Sequence, residues 1–212
     1  MTRAYVESGT GMHVDDATVA WTFDLERWGE CGLGSDEATA LAALGDPDAQ
    51  VAERIHGDEQ AFVRDRQPAS DAELDATMAI LAKTRAATLA LLAGLPDAVL
   101  DWDDPDRILP SWARWRTLRQ LAWHVADTES RYYLTGLGEA PLPRGDDLLA
   151  ELERSAAHVA TTLLRLPRDR VVERGGEVWT TTKLLRRLAW HERGELAVMR
   201  GLAVRAQSTM RC

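Results

Sequence analysis

The stretch LLRRLAWHERGELAVMRGL, residues 184–202, is an apolar helical stripe with two polar residues set into it. At about 100° per residue, Leu184, Leu188, Met199 and Leu202 share one face of a helix. Glu195 falls inside that face, and His191, one turn earlier, lies at its margin. A buried carboxylate without a partner is costly, so the stripe predicts a partner for Glu195. The tetrapeptide LAWH also occurs twice, ending at His124 in TLRQLAWHVADTE and at His191 in LLRRLAWHERGE.

The same periodicity extends back to Ser70. Ser70 and Glu73 make a capping box for a helix through Leu74, Met78, Leu81, Leu89 and Leu92 that stops at Gly94–Pro96. A second helix is expected over about 112–135, with Trp115, Leu118, Leu121, Val125 and Tyr132 on one face. A third is expected over about 146–166, followed by a hairpin turning at Gly175–Gly176. Thr180 or Thr181 then caps the helix that holds the opening stretch. Four amphipathic helices of about 20 residues, none able to hide its apolar face alone, predict an up-down four-helix bundle over 71–212.

The first residues have a different character. RAYVESG, ATVAWTFDL and GECGLG are β-prone, and Ser35 is placed to cap the helix SDEATALAALG, with Gly45 as its stop. The expectation is a mainly α chain preceded by a small α+β domain, β-β-β-α, over 1–46, with 47–70 a linker carrying a short helix.

The bulk numbers narrow the function. A 45 % apolar fraction over 212 residues supports a core of ordinary size. No run of 18 apolar residues occurs, so no membrane span is expected. A net charge of −9 disfavours nucleic-acid binding. With Cys31 and Cys212 as the two cysteines, and no apolar leader in MTRAYVESGTG, a cytoplasmic protein is expected. His13 and His56 have no partner at a recognisable spacing, and His158 falls off its stripe toward solvent.

Residues at i and i+4 on a helix stand about 5–6 Å apart, within reach of one ion. His191 and Glu195 therefore offer two ligands, and His124 from a neighbouring helix a third. Two imidazoles and a carboxylate with one open position are the donor set of several zinc sites and of facial-triad iron sites. Arg85 sits mid-stripe on the first long helix beside Thr84 and Thr88. It is placed either to orient an anionic substrate group or to neutralise Glu195; in that second case His191 and Glu195 are a plain ion pair. Thr88 and Thr128 join Arg85 as candidate substrate contacts, and no catalytic residue is assigned. HERGE is also a variant of the zincin H-E-x-x-H, in which Glu192 would be the base; no downstream third ligand follows it.

Three segments, TRAATLALLAGLPDAVL, WRTLRQLAWHVADTESRYYL and VWTTTKLLRRLAWHERGELAVMRGL, resemble the DinB/YfiT-like four-helix metalloproteins, across residues 73–205. That family includes thiol-dependent transferases and mycothiol-dependent isomerases. The resemblance implies a metal triad of one histidine on the second helix and two, four residues apart, on the fourth. His124 and His191 match, and Glu195 stands where the second helix-four histidine is expected. It further implies a divalent metal (zinc favoured, nickel or iron the alternatives), a low-molecular-weight thiol cosubstrate, a small-molecule substrate and a homodimer. The segment ATVAWTFDLERWGECGLGSDEATALAAL resembles HicB-like α+β domains, which implies a structural or dimerising role. Two functions stay open: a metal-dependent enzyme activating a thiol or water, and a non-catalytic scaffold with a degenerate metal site.

Overall fold

A computed structural model describes residues 2–12 and 14–210; His13 and Cys212 lie outside the described residues. The chain is mainly helical with a small mixed sheet, and it divides into two compact units. The first comprises residues 1–77, 136–138 and 166–190, the second residues 78–135, 139–165 and 191–212.

In the first unit, β1 (Arg3–Thr10), β2 (Ala17–Trp21), β3 (Cys31–Gly34) and β4 (Gln50–His56) form a sheet of order β3-β2-β1-β4. β1 pairs antiparallel with β2 and parallel with β4. β2 reads ATVAW without alternation because both of its faces are covered. Helix α1 (Glu37–Leu44) packs Ala40, Leu41 and Leu44 on one side, and Phe62 and Trp190 close the other. The cap of α1 is Asp36, whose carboxylate accepts from Thr39 N at 2.8 Å, and not Ser35. Gly45 ends the helix with φ 83°, a left-handed conformation that suits glycine.

Residues 50–56 correct the expected short helix. QVAERIH alternates exposed and half-buried positions along an edge strand, and charged Glu53 and Arg54 obscure that period of two in the sequence. Nor does the chain divide at residue 70. The hairpin of β5 (Val171–Arg174) and β6 (Glu177–Thr180) and the start of α7 (Thr181–Thr209) belong with the sheet. Buried charges join them: Arg186 donates to Asp65 at 2.8 Å, Arg187 pairs with Glu59, and Lys183 lies 2.9 Å from Glu59. Burying these charges is tolerable only because each is paired.

Four long helices supply the second unit. They are α2 (Asp71–Ala93), α4 (Leu118–Asp127), α6 (Leu148–Arg165) and α7, with the short α3 (Asp97–Leu100) after α2. Leu92, Leu118, Leu121, Val125, Leu152, Met199 and Leu202 share one apolar cluster. α4 starts at Leu118, six residues later than expected, because Thr117 and Gln120 make a capping box there. Residues 112–117 are loop. α4 continues through a π-helical stretch, Thr128–Tyr133, into α5 (Leu134–Gly136). A π turn carries an extra residue and rotates the side chains beyond it. Tyr133 is accordingly buried and Tyr132 is 40 % exposed, the reverse of the expected register. Among the described residues α2 is long and apolar enough to cross a membrane, by length and composition alone.

Candidate metal centre

The site lies within the second unit. α4 carries His124, and α7 carries His191 and Glu195 one turn apart on its inner side. His191 Nε2 stands 3.3 Å from His124 Nε2 and 3.7 Å from Glu195 Oε1, and His124 Nε2 is 3.8 Å from the same oxygen. A tetrahedral ion with bonds of 2.0–2.1 Å separates its ligands by roughly 3.4 Å. The triangle of donors fits such an ion. Glu195 is 8 % exposed and His191 3 %, so the donors are largely withdrawn from water.

The remaining ring nitrogens are engaged elsewhere. His191 Nδ1 faces Glu129 Oε1 at 3.4 Å. Thr128 Oγ1 lies 3.1 Å from His124 Nδ1 and 3.5 Å from its Nε2. Partners at Nδ1 turn Nε2 toward the shared point, the outer-shell arrangement common around ligating histidines. Trp115 stacks on His124 at 3.5 Å with an interplanar angle of 13°, and Tyr133 meets His191 edge-on.

Burial dominates the electrostatics. It pushes the Glu195 carboxyl up to about 7, against the pull of Arg107 and with a further push from Glu129. It drives His124 down to about 2, helped by His191 and Arg107. Burial thus disfavours the charged form of both His124 and Glu195.

Arg85 does not neutralise Glu195. Its guanidinium donates to Glu129 at 2.7 Å and to Glu192 at 2.9 Å, and also to the Leu152 carbonyl. Those bonds occupy the donors that would have oriented an anionic substrate. Glu192, the base of the zincin reading, is turned to Arg85 and is buried. Thr88 is buried on α2, and among the described contacts none joins it to the donors. Thr128 does reach the site, as a partner of His124. His158 is half-buried on α6 instead of facing solvent, and exposed His56 meets Ser8 at 3.1 Å.

Two contributors were not read from the sequence. Glu129 is 1 % exposed, and its place one turn after the core residue Val125 was the available signal. Arg107 comes from the loop between α3 and α4, where it donates to the carbonyls of Trp115 (2.7 Å) and Arg116 (2.9 Å). A loop side chain has no periodicity to announce it.

A family model described as the DinB superfamily matches residues 80–199, a span that includes His124, His191 and Glu195. No curated protein and no solved structure matches the chain. The match covers more than half of the 212 residues, and the chain belongs to the DinB superfamily.

Proposed function

We propose that this chain is a metal-dependent enzyme that holds one divalent cation through His124, His191 and Glu195 and acts on a small molecule by activating a thiol or water. The four long helices are then an up-down bundle with the site in its interior, where such sites are ordinarily built. The observation that carries the proposal is the triangle of three donor atoms 3.3–3.8 Å apart, with both imidazoles met by a partner near Nδ1. Zinc suits two imidazoles and a carboxylate best, with nickel and iron as alternatives. A bound cation would supply Lewis acidity, lowering the pKa of a thiol or water brought to it.

The protein's own groups have separate tasks. Glu129 fixes the orientation of His191, and Arg85 fixes Glu129. Trp115 shields one face of His124 from water. Arg107, half-buried and close enough to Glu195 to lower its pKa, takes the role of orienting an anionic substrate group, for which helical spacing alone had pointed to Arg85.

Metal analysis tests the reading. Protein loaded with zinc, nickel or iron and then dialysed is expected to retain about one ion per chain, and His124→Ala to retain none. Wild-type protein that emerges empty after loading with each of the three would overturn it, and a scaffold role would remain.

A further inference from the structure

We propose that the groove between α2 and α7 in the second unit is a ligand site separate from the three metal donors, and that it takes a small anionic amphiphile, an aliphatic chain ending in a carboxylate. The two helices line it with matching rows. Ile80, Lys83 and Ala87 stand at i, i+3 and i+7 on α2, and Arg193, Leu196 and Arg200 at i, i+3 and i+7 on α7. The groove has a volume of about 390 Å³, at the small end of the range for ligand pockets. None of the three metal donors lines it.

Its base is apolar and its rim cationic. Leu196 is buried, and Ile80 and Ala87 are half-buried. Lys83 and Arg200 are exposed, one on each helix, and Arg193 is half-buried. In a chain of net charge −9, the groove thus collects three cations and no acid. Among the described residues neither Lys83 nor Arg200 forms a hydrogen bond or an ion pair, whereas Arg193 has an interaction of its own, so the case rests on the other two. Lysine and arginine are both charged at neutral pH. A cationic ligand would meet three like charges. A bare inorganic anion would gain only the weak attraction of exposed cations and would leave the apolar base in contact with water. A carboxylate on a hydrocarbon chain satisfies both parts, its chain on Leu196 and Ile80 and its head toward Lys83 and Arg200.

Calorimetric titration with octanoate, n-octylammonium and acetate tests it, each added to wild-type protein, to His124→Ala and to the double variant Lys83→Glu/Arg200→Glu. Octanoate is expected to bind wild type and His124→Ala alike, at least roughly tenfold tighter than either other probe, and more weakly as salt is raised. The charge reversal touches exposed side chains, so circular dichroism should not change while octanoate affinity falls at least roughly tenfold. Ala197→Trp, at an exposed position in the groove, should block octanoate by filling the space with an indole. Lysine chemistry gives a local readout. The sequence holds two lysines, and Lys183 is buried against Glu59, so acetylation by acetic anhydride, mapped by peptide mass spectrometry, reports on Lys83. Octanoate should slow that reaction, and acetate should not. Equal binding of the three probes would overturn the proposal, as would octanoate affinity that survives the charge reversal or Ala197→Trp. Octanoate binding lost in His124→Ala would also overturn it, by placing the carboxylate at the metal centre; binding retained there is independent of the fate of the metal proposal.

Discussion

Glu129 is the residue whose removal best separates a metal centre from a packed polar core. In Glu129→Ala, His191 loses the carboxylate 3.4 Å from its Nδ1, and Arg85 loses one of its two acids. Loss of an outer-shell carboxylate behind a ligating histidine lowers metal affinity by about 10–100-fold, or roughly 1.4–2.7 kcal/mol. The fold should suffer less than when a buried charge is stripped of every partner, which costs about 3–5 kcal/mol. Arg85 keeps Glu192 at 2.6 Å and the Leu152 carbonyl, so a loss of about 1–3 kcal/mol is expected. Zinc affinity is read by competition with a chromophoric chelator, and stability by urea titration of metal-free protein. A variant that stays folded and binds zinc within roughly twofold of wild type would refute the claim that Glu129 positions a ligand.

Glu195→Gln should show two opposite effects. It should weaken metal binding, and it should stabilise the metal-free protein at pH 8. The second effect comes from the sign of the shift: burial raises the Glu195 carboxyl from 4.5 to about 7, so its contribution to stability is full below pH 4.5 and is lost as pH rises through 7. Glutamine removes that loss, worth up to about 3 kcal/mol, and melting curves of the two metal-free proteins should converge near pH 4.5. Arg85→Met leaves Glu129 and Glu192 without their cation, and urea titration should show a loss of about 3–5 kcal/mol. Burial also holds both carboxyls up at about 7, so that loss should be larger at pH 8 than at pH 5; a pH-independent loss would refute the assignment. Glu195→His keeps three donors while replacing the hard one, so the preference for zinc over manganese should grow by roughly tenfold, and an unchanged ratio would count against Glu195 as a ligand.

The helices and the donor triad were legible because both rest on helical spacing. Leu184, Leu188, Met199 and Leu202 are all buried as the stripe requires, and Glu195 lies among them. The features that escaped the sequence have no such period. The π stretch at Thr128–Tyr133 shifts the register inside a segment that otherwise reads as one helix, so Tyr132 stood in for Tyr133. β4 is an edge strand whose alternation is carried by half-buried residues, too weak beside the charges in QVAERIH. Arg85 was placed on the inner face, but its partners depend on which helices adjoin. Glu129 and Glu192 capture it, and no spacing along one chain reveals that choice.

The plain alternative for His191 and Glu195 is an i, i+4 ion pair, and the third donor argues against it: His124 Nε2, from another helix, stands 3.3 Å from His191 Nε2 and 3.8 Å from Glu195 Oε1. An exposed ion pair holds its acid low and its base high, as Asp101 and Arg119 do on the surface, whereas burial overrides the pairing for Glu129 and Glu192 beside Arg85, both raised to about 7. Burial acts in the same direction on Glu195 and His124. Glu195 is raised to about 7 and His124 is depressed to about 2, each pushed toward its uncharged form. Nothing in the cluster itself rewards ionisation of Glu195, although its Oε1 stands within 3.8 Å of both Nε2 atoms. A neutral imidazole at His124 and a carboxylate that can ionise at Glu195 are protonation states compatible with a cation's ligands. The partners behind the rings, Thr128 and Glu129, lie nearest Nδ1 and so leave both Nε2 atoms turned inward. Three donor atoms that lie within 3.8 Å of one another, with both rings met from behind, are a group that could hold a metal ion, and that is the geometry on which the proposed function rests.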